Sequence, residues 1–165
     1  LNRSSGRDRY RAGFRVTVRK TAISLGALKC SVACKPLLCL VNRSMNKIAA
    51  LFAGQGAQSV GMGKDFTEKF PSARLWFDRA NALLGYDLAS VCLQGPDAEL
   101  TKTENAQPGI FLVGWVAFQL LRERMPSLKF EAAAGLSLGE FTALTAAGAI
   151  TFDDGLQVVR QRGRF

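Results

Sequence analysis

Apolar and polar positions along the chain fall into two regimes, an arm without periodic order and, from Lys47 onward, short apolar runs alternating with stripes at helical spacing. The first run, Ile48 to Ala53, ends abruptly in Gly54-Gln-Gly-Ala-Gln58, which predicts a buried strand followed by a tight glycine loop. After Gly61-Met-Gly63, the residues Phe66, Phe70, Leu75, Trp76, Ala80 and Leu83 recur at spacings that fit helix. Pro71 and Ser72 divide that stretch in two, and Gly85 closes the second piece. Leu88 to Leu93 reads as a short helical turn or loop and Glu99 to Glu104 as a polar segment. Pro108 is placed to open a helix from about Gly109 to Arg124, apolar nearly all round and therefore expected to be buried. Phe130 to Ala134 predicts a second short strand, followed by Gly135-Leu-Ser-Leu-Gly139 and a helix from Glu140 to Ala149. Val158 to Phe165 shows no cap or terminating signal, so the last residues read as a helix in progress.

With 165 residues, 48% of them apolar and 21% charged, the chain has enough apolar material for one buried core. A net charge of +9 invites a nucleic-acid reading, and its distribution removes it. Residues 1–44 hold ten of the 22 basic residues and one of the 13 acidic ones, so they carry the whole excess and leave a neutral body. The arm has two aromatics, Tyr10 and Phe14, and no stacking pattern. Rich in Arg, with several Ser and almost no acid, it reads either as an organelle transit peptide or as upstream sequence translated ahead of a natural start at Met45. The first reading places the protein in a plastid or mitochondrion, the second in a bacterial-type cytoplasm. Either way, residues 1–44 are expected to be a disordered extension of a body spanning 45–165. The apolar stretch from Cys34 to Val41 is short and interrupted by Lys35 and Pro36, which counts against a secretory signal. No run approaches the roughly 18 apolar residues of a membrane span.

Cys30, Cys34 and Cys39 lie in the arm, and the chain contains no histidine to complete a zinc site, so no metal is expected. Cys92 sits among apolar neighbours and reads as a small core residue.

Strand, Gly-x-Ser-x-Gly and helix in succession form the context of a nucleophile elbow around Ser137. The turn would hold the serine in a strained conformation, and glycines two residues to either side would let strand and helix approach without a side-chain clash. Ser137 would then stand at a helix N-terminus, where the dipole and free N–H groups favour developing negative charge. On the motif alone, the alternative is a small-residue turn before a buried helix.

Four motifs in compatible order carry a more specific resemblance. Phe52-Ala-Gly-Gln-Gly-Ala-Gln58 with Gly61-Met-Gly63, Asn105-Ala-Gln-Pro108, Gly135-Leu-Ser-Leu-Gly-Glu140 with Ala143 and Ala147-Gly148, and Arg160-Gln-Arg-Gly163 together resemble the malonyl-CoA:acyl carrier protein transacylase family. The resemblance covers essentially all of residues 47–165. It implies an α/β fold, a short mainly parallel sheet covered by helices with an acyltransferase-type, α/β-hydrolase-like core, truncated here before a small ferredoxin-like subdomain. It also implies that Ser137 takes malonyl from the coenzyme A thioester as an acyl-enzyme and surrenders it to the phosphopantetheine thiol of acyl carrier protein, in fatty acid biosynthesis. Backbone N–H groups of Gln55 and Leu138 would form the oxyanion hole, Arg162 would grip the malonyl carboxylate, and Gln107 would line the pocket. Malonyl-CoA and acyl carrier protein are the implied partners of a protein that is monomeric when complete, with no bound cofactor, nucleic acid or membrane. Read without the resemblance, Arg162 is equally a solvated residue between Arg160 and Arg164, Gln55 a polar turn residue, and Gln107 a polar residue before a helix-opening proline.

Two departures stand out. Many members of the family have His where this chain has Leu136, which is expected to alter the packing of the elbow but not its form. The second is the absence of any histidine, because the serine's base in this family is a His well downstream, expected here beyond Phe165. The chain is therefore expected to be an incomplete enzyme. The competing readings are a serine esterase of the α/β type and a non-catalytic partial transacylase that only binds carrier protein.

Overall fold

A computed structural model describes residues 41–42 and 47–165, and the expectations for the rest of the basic arm lie outside the described residues. The described chain forms strands β1 (Val41–Asn42), β2 (Ile48–Phe52) and β3 (Phe130–Gly135). Its helices are α1 (Lys64–Lys69), α2 (Pro71–Leu84), α3 (Leu88–Gln94), α4 (Asp97–Leu100), α5 (Thr103–Arg124), α6 (Leu138–Ala146) and α7 (Phe152–Arg162). The sheet has the order β1-β2-β3, with β1 antiparallel and β3 parallel to β2. Parallel neighbours cannot be joined by a tight turn, and the connection from β2 to β3 runs through α1 to α5. Register matters most at the strand ends. Phe52 pairs with Gly135, so the loops that follow β2 and β3 leave the sheet side by side.

The apolar pattern of α5 has the expected outcome, since the helix is buried along most of its length and packs against α2, α3, α4, α6 and α7. Its start is not where the sequence pattern placed it. Helix geometry begins at Thr103, and Pro108 lies inside the helix. Proline has no N–H to donate back to Glu104, and the Tyr86 hydroxyl donates to that freed carbonyl at 3.5 Å instead. The segment read as polar overlaps α4, whose Leu100 is fully buried. Helix α6 starts two residues earlier than expected and stops at Ala146. Helix α7 ends at Arg162, where the Gly163 N–H donates to the Val159 carbonyl at 3.0 Å and the Arg160 carbonyl at 3.1 Å.

Helix α7 is pinned at its first turn. Phe152 packs against Trp76 of α2 and Phe111 of α5, with ring centroids 4.9 Å and 5.7 Å away, and Arg79 forks onto Asp153 with two 2.8 Å hydrogen bonds. Cys92 is fully buried, as its apolar neighbours suggested, and burial pushes its thiol up to about 12. Among the described residues no helix is long and apolar enough to cross a membrane.

Asp87 caps α3, accepting from the Ser90 N–H at 2.9 Å and the Asn81 side-chain amide at 2.8 Å. The backbone hydrogen bond from Ser90, aided by Asn81, holds its carboxyl below the usual carboxylate value. Replacing Asp87 by Ala is expected to cost about 1 kcal/mol of stability. Because the folded pKa is depressed, the carboxylate's contribution is present above about pH 4 and lost as pH falls through that range. Melting curves of the two proteins should therefore converge in acid.

Candidate active site

The two strand ends that Phe52 and Gly135 align deliver the loop bearing Gln55 and the turn bearing Ser137 to one place. Among the described residues, Ser137 is the single non-glycine residue with positive φ, at φ 54 and ψ −97. Such a backbone costs about 1–3 kcal/mol and persists only where its surroundings impose it. Here the flanking glycines impose it. A Cβ on Gly135 would fall into the Gly139 backbone and lie 2.6 Å from the Glu140 nitrogen, while one on Gly139 would meet the carbonyl oxygens of Phe52 and Ala53. The turn is thus clamped between β3, α6 and the end of β2. Gly54 brings the neighbouring loop equally close, since a Cβ there would lie 2.5 Å from the Leu136 carbonyl oxygen.

Ser137 is the N-cap of α6, and Leu138, fully buried, is its first helical residue. First-turn N–H groups have no acceptor within the helix, so the Leu138 N–H is available beside the hydroxyl. The Glu140 carboxylate reaches back to accept from the Ser137 backbone N–H at 3.2 Å. The sequence signal for this contact is the Ser-x-x-Glu spacing of a capping box between Ser137 and Glu140.

Four of the five residues singled out in the sequence join through side chains. The Arg162 Nη2 donates to the Ser137 Oγ at 2.6 Å, and Nη1 donates to the Gln107 Oε1 at 3.4 Å. The Gln107 Nε2 donates to the Gln55 Oε1 at 3.4 Å, and the Gln55 Nε2 donates to the Thr103 Oγ1 at 3.5 Å. Direction along this string is fixed by its first member. A guanidinium only donates, so Gln107 must turn its oxygen toward Arg162, which leaves its nitrogen for Gln55. Gln107 is buried, with 4% of its surface exposed, and belongs to this network and not to a solvated helix start. Arg162 is half-buried and lies 5.7 Å from the Phe141 ring centroid, so it is not a freely solvated residue between two arginines. Leu136, the residue before the serine, is 76% exposed. Thr103 had no signal in the sequence beyond its place before the Asn-Ala-Gln-Pro motif.

Chemically, the site offers a hydroxyl at a strained turn, a helix N-terminus next to it, and a cation in contact with the hydroxyl oxygen. Since Arg162 can only donate, Ser137 Oγ acts as acceptor in this pair and its proton has no destination there.

Residues 50–165 match the acyl transferase domain family. The chain belongs to that family. It is 44% identical over 121 residues to the malonyl CoA-acyl carrier protein transacylase of Bacillus subtilis strain 168, covering 73% of this chain and 38% of that protein. With the mitochondrial malonyl-CoA-acyl carrier protein transacylase of Mus musculus it shares 42% identity over 114 residues, 68% of this chain and 30% of the relative. A malonyl-transacylase solved in complex with its type II PKS acyl-carrier protein superposes with a TM-score of 0.65 at 38% identity, covering 70% of this chain and 37% of that one. The relatives thus include a bacterial and a mitochondrial protein, and this chain spans about a third of their length. The α/β fold with a short sheet covered by helices is shared with that solved malonyl-transacylase.

Proposed function

We propose that this acyltransferase chain carries the nucleophile and acid-recognition groups of a malonyl-CoA:acyl carrier protein transacylase. The observation that carries the reading is the 2.6 Å contact between the Arg162 guanidinium and the Ser137 oxygen. An acyl group on that oxygen lies within reach of a planar bidentate donor, which selects a short acyl chain ending in a carboxylate. The names of the relatives, which pair malonyl-CoA with acyl carrier protein, support the same substrate and the same acceptor.

In this mechanism the Ser137 oxygen attacks the thioester carbonyl carbon, and the developing oxyanion is held by the backbone N–H groups of Leu138 and Gln55. The carbon–sulfur bond breaks and coenzyme A leaves as its thiol with the serine proton. The phosphopantetheine thiol of acyl carrier protein then attacks the serine ester, its proton passes to the Ser137 oxygen, and the ester bond breaks as malonyl moves to the thiol. Gln107 and Gln55 hold Arg162 in place through their directional hydrogen bonds. No cofactor enters these steps.

Both proton transfers need a base, and the sequence contains no histidine. Transfer by this chain is therefore expected to run about 10²- to 10⁴-fold below that of a complete transacylase. The test is acylation of the purified chain by malonyl-CoA against hydrolysis of neutral esters. Malonylation without ready ester cleavage supports the transacylase reading, and rapid turnover of neutral esters would replace it with the esterase one.

A further inference from the structure

Arg162 is the last residue of α7, and its guanidinium can reach Ser137 only if the end of that helix sits at a fixed height over the start of α5. The structure shows what fixes it. A Cβ on Gly163 would lie 2.7 Å from the Thr103 carbonyl oxygen, 2.9 Å from the Glu104 Cα and 3.1 Å from the Thr103 carbonyl carbon. All three atoms are backbone in the first turn of a long buried helix, so none can yield as the tip of a flexible side chain does. Gly163 itself has φ −72 and ψ −11, a conformation open to any residue. Glycine is required here by space alone.

The same residue of α5 holds the other side of the site. The Thr103 hydroxyl accepts from the Gln55 side chain at 3.5 Å while its carbonyl lies beneath Gly163. The first turn of α5 is therefore a common seat for the loop after β2 and for the end of α7. The separation of these two sets how far the guanidinium stands from an acyl group on Ser137.

We propose that Gly163 is a positioning residue whose contact with the Thr103 backbone sets the reach of Arg162, and with it the preference for an acid-bearing acyl group over a neutral one of similar length. This rests on the transacylase reading for its substrate, but the placement of the guanidinium can be read without any substrate.

The test uses the full chain with Gly163→Ala, Arg162→Ala and, as a control on the exposed side of the same turn, Gln161→Ala. In the free protein, the side-chain ¹⁵N–H resonances of Arg162 are compared with and without Ser137→Ala. In the wild type that substitution should move them, because it removes the hydroxyl acceptor. On a Gly163→Ala background it should leave them in place, because the contact is already broken. In parallel, Ser137 acylation by malonyl-CoA and by acetyl-CoA is followed by mass spectrometry. Gly163→Ala is expected to slow malonylation about 10- to 100-fold and leave acetylation unchanged. Adding it to Arg162→Ala should cause no further loss, and Gln161→Ala should behave as wild type.

A Gly163→Ala protein whose Arg162 resonances still respond to Ser137→Ala overturns the proposal. So does an equal fall in malonylation and acetylation, which would mark general damage to the fold. If the resonances decouple as expected but the wild type is acylated by neither thioester, the transacylase reading fails and the positioning role of Gly163 stands.

Discussion

Replacing Arg162 by Ala is expected to slow malonylation of Ser137 by about 10- to 200-fold, the range that follows from the roughly 1.5–3 kcal/mol contributed by a hydrogen bond to a charged group. Acetylation should change by no more than about twofold, because an acetyl group presents nothing for the guanidinium to bind. The size of the effect comes from geometry that is already in place. Arg162 is oriented by the Gln107 oxygen at 3.4 Å and aimed at the Ser137 oxygen at 2.6 Å, so little ordering remains to be done when a carboxylate arrives. Arg162→Lys should recover only part of the loss, since a single ammonium keeps the charge but cannot span both the carboxylate and Gln107. Competition between malonyl-CoA and acetyl-CoA in one tube, read as the ratio of the two adducts, measures this directly. A ratio unchanged by Arg162→Ala would place the carboxylate elsewhere.

The second large effect is expected on the fold. Gly135→Ala would drive a Cβ into the Gly139 backbone, with the Glu140 nitrogen 2.6 Å away, at the point where β3 turns into α6. Neither partner is a side chain, so relief requires the strand and helix to separate. The cost is expected at or above the upper end of over-packing, about 3 kcal/mol, which lowers the melting temperature of a domain this size by roughly 10–20 °C. Acylation of Ser137 should vanish with it, because the positive φ of the serine depends on the same clamp. Gly114→Ala is the matched comparison. Its Cβ would sit 3.4 Å from the Thr142 Cγ2 and 3.8 Å from a Phe52 ring carbon in the middle of α5, ordinary contacts at a helical position. There the gain in helix propensity, about 1 kcal/mol, makes a neutral or stabilising outcome the expectation. Thermal unfolding of the two variants side by side separates the elbow's demand for glycine from a general intolerance of alanine.

Much of this architecture could be read from local pattern because the features concerned are local. The apolar run ending in glycine at β2, the division of α1 from α2 at Pro71, and the strand, turn and helix around Ser137 each depend on residues within a few positions of one another. The start of α5 could not be read this way. A proline ordinarily marks a helix opening, and only the distant Tyr86 hydroxyl shows why Pro108 is accommodated inside. The site divides along the same line. Ser137 announces itself through its own motif, but its link to Arg162 spans 25 residues, Arg162 to Gln107 55, Gln107 to Gln55 52, and Gln55 to Thr103 48. Those contacts are made where α6, α7 and the loop after β2 meet α5, and nothing in the neighbourhood of any one residue encodes them. Resemblance to a family pointed to Gln55, Gln107 and Arg162. Thr103 and Gly163 lacked a chemical signature, one an ordinary threonine and the other a glycine whose conformation needs no glycine.

Ser137 is expected to accept an acid-bearing acyl group from a thioester. The most direct test is to incubate the chain with malonyl-CoA for hours, quench in acid, and locate any adduct by peptide mass spectrometry. A malonyl ester on Ser137, absent from Ser137→Ala and outcompeting acetyl in the wild type, is the expected result. A chain that stays unmodified, or one whose adduct survives Ser137→Ala, would rule out Ser137 as the acyl acceptor.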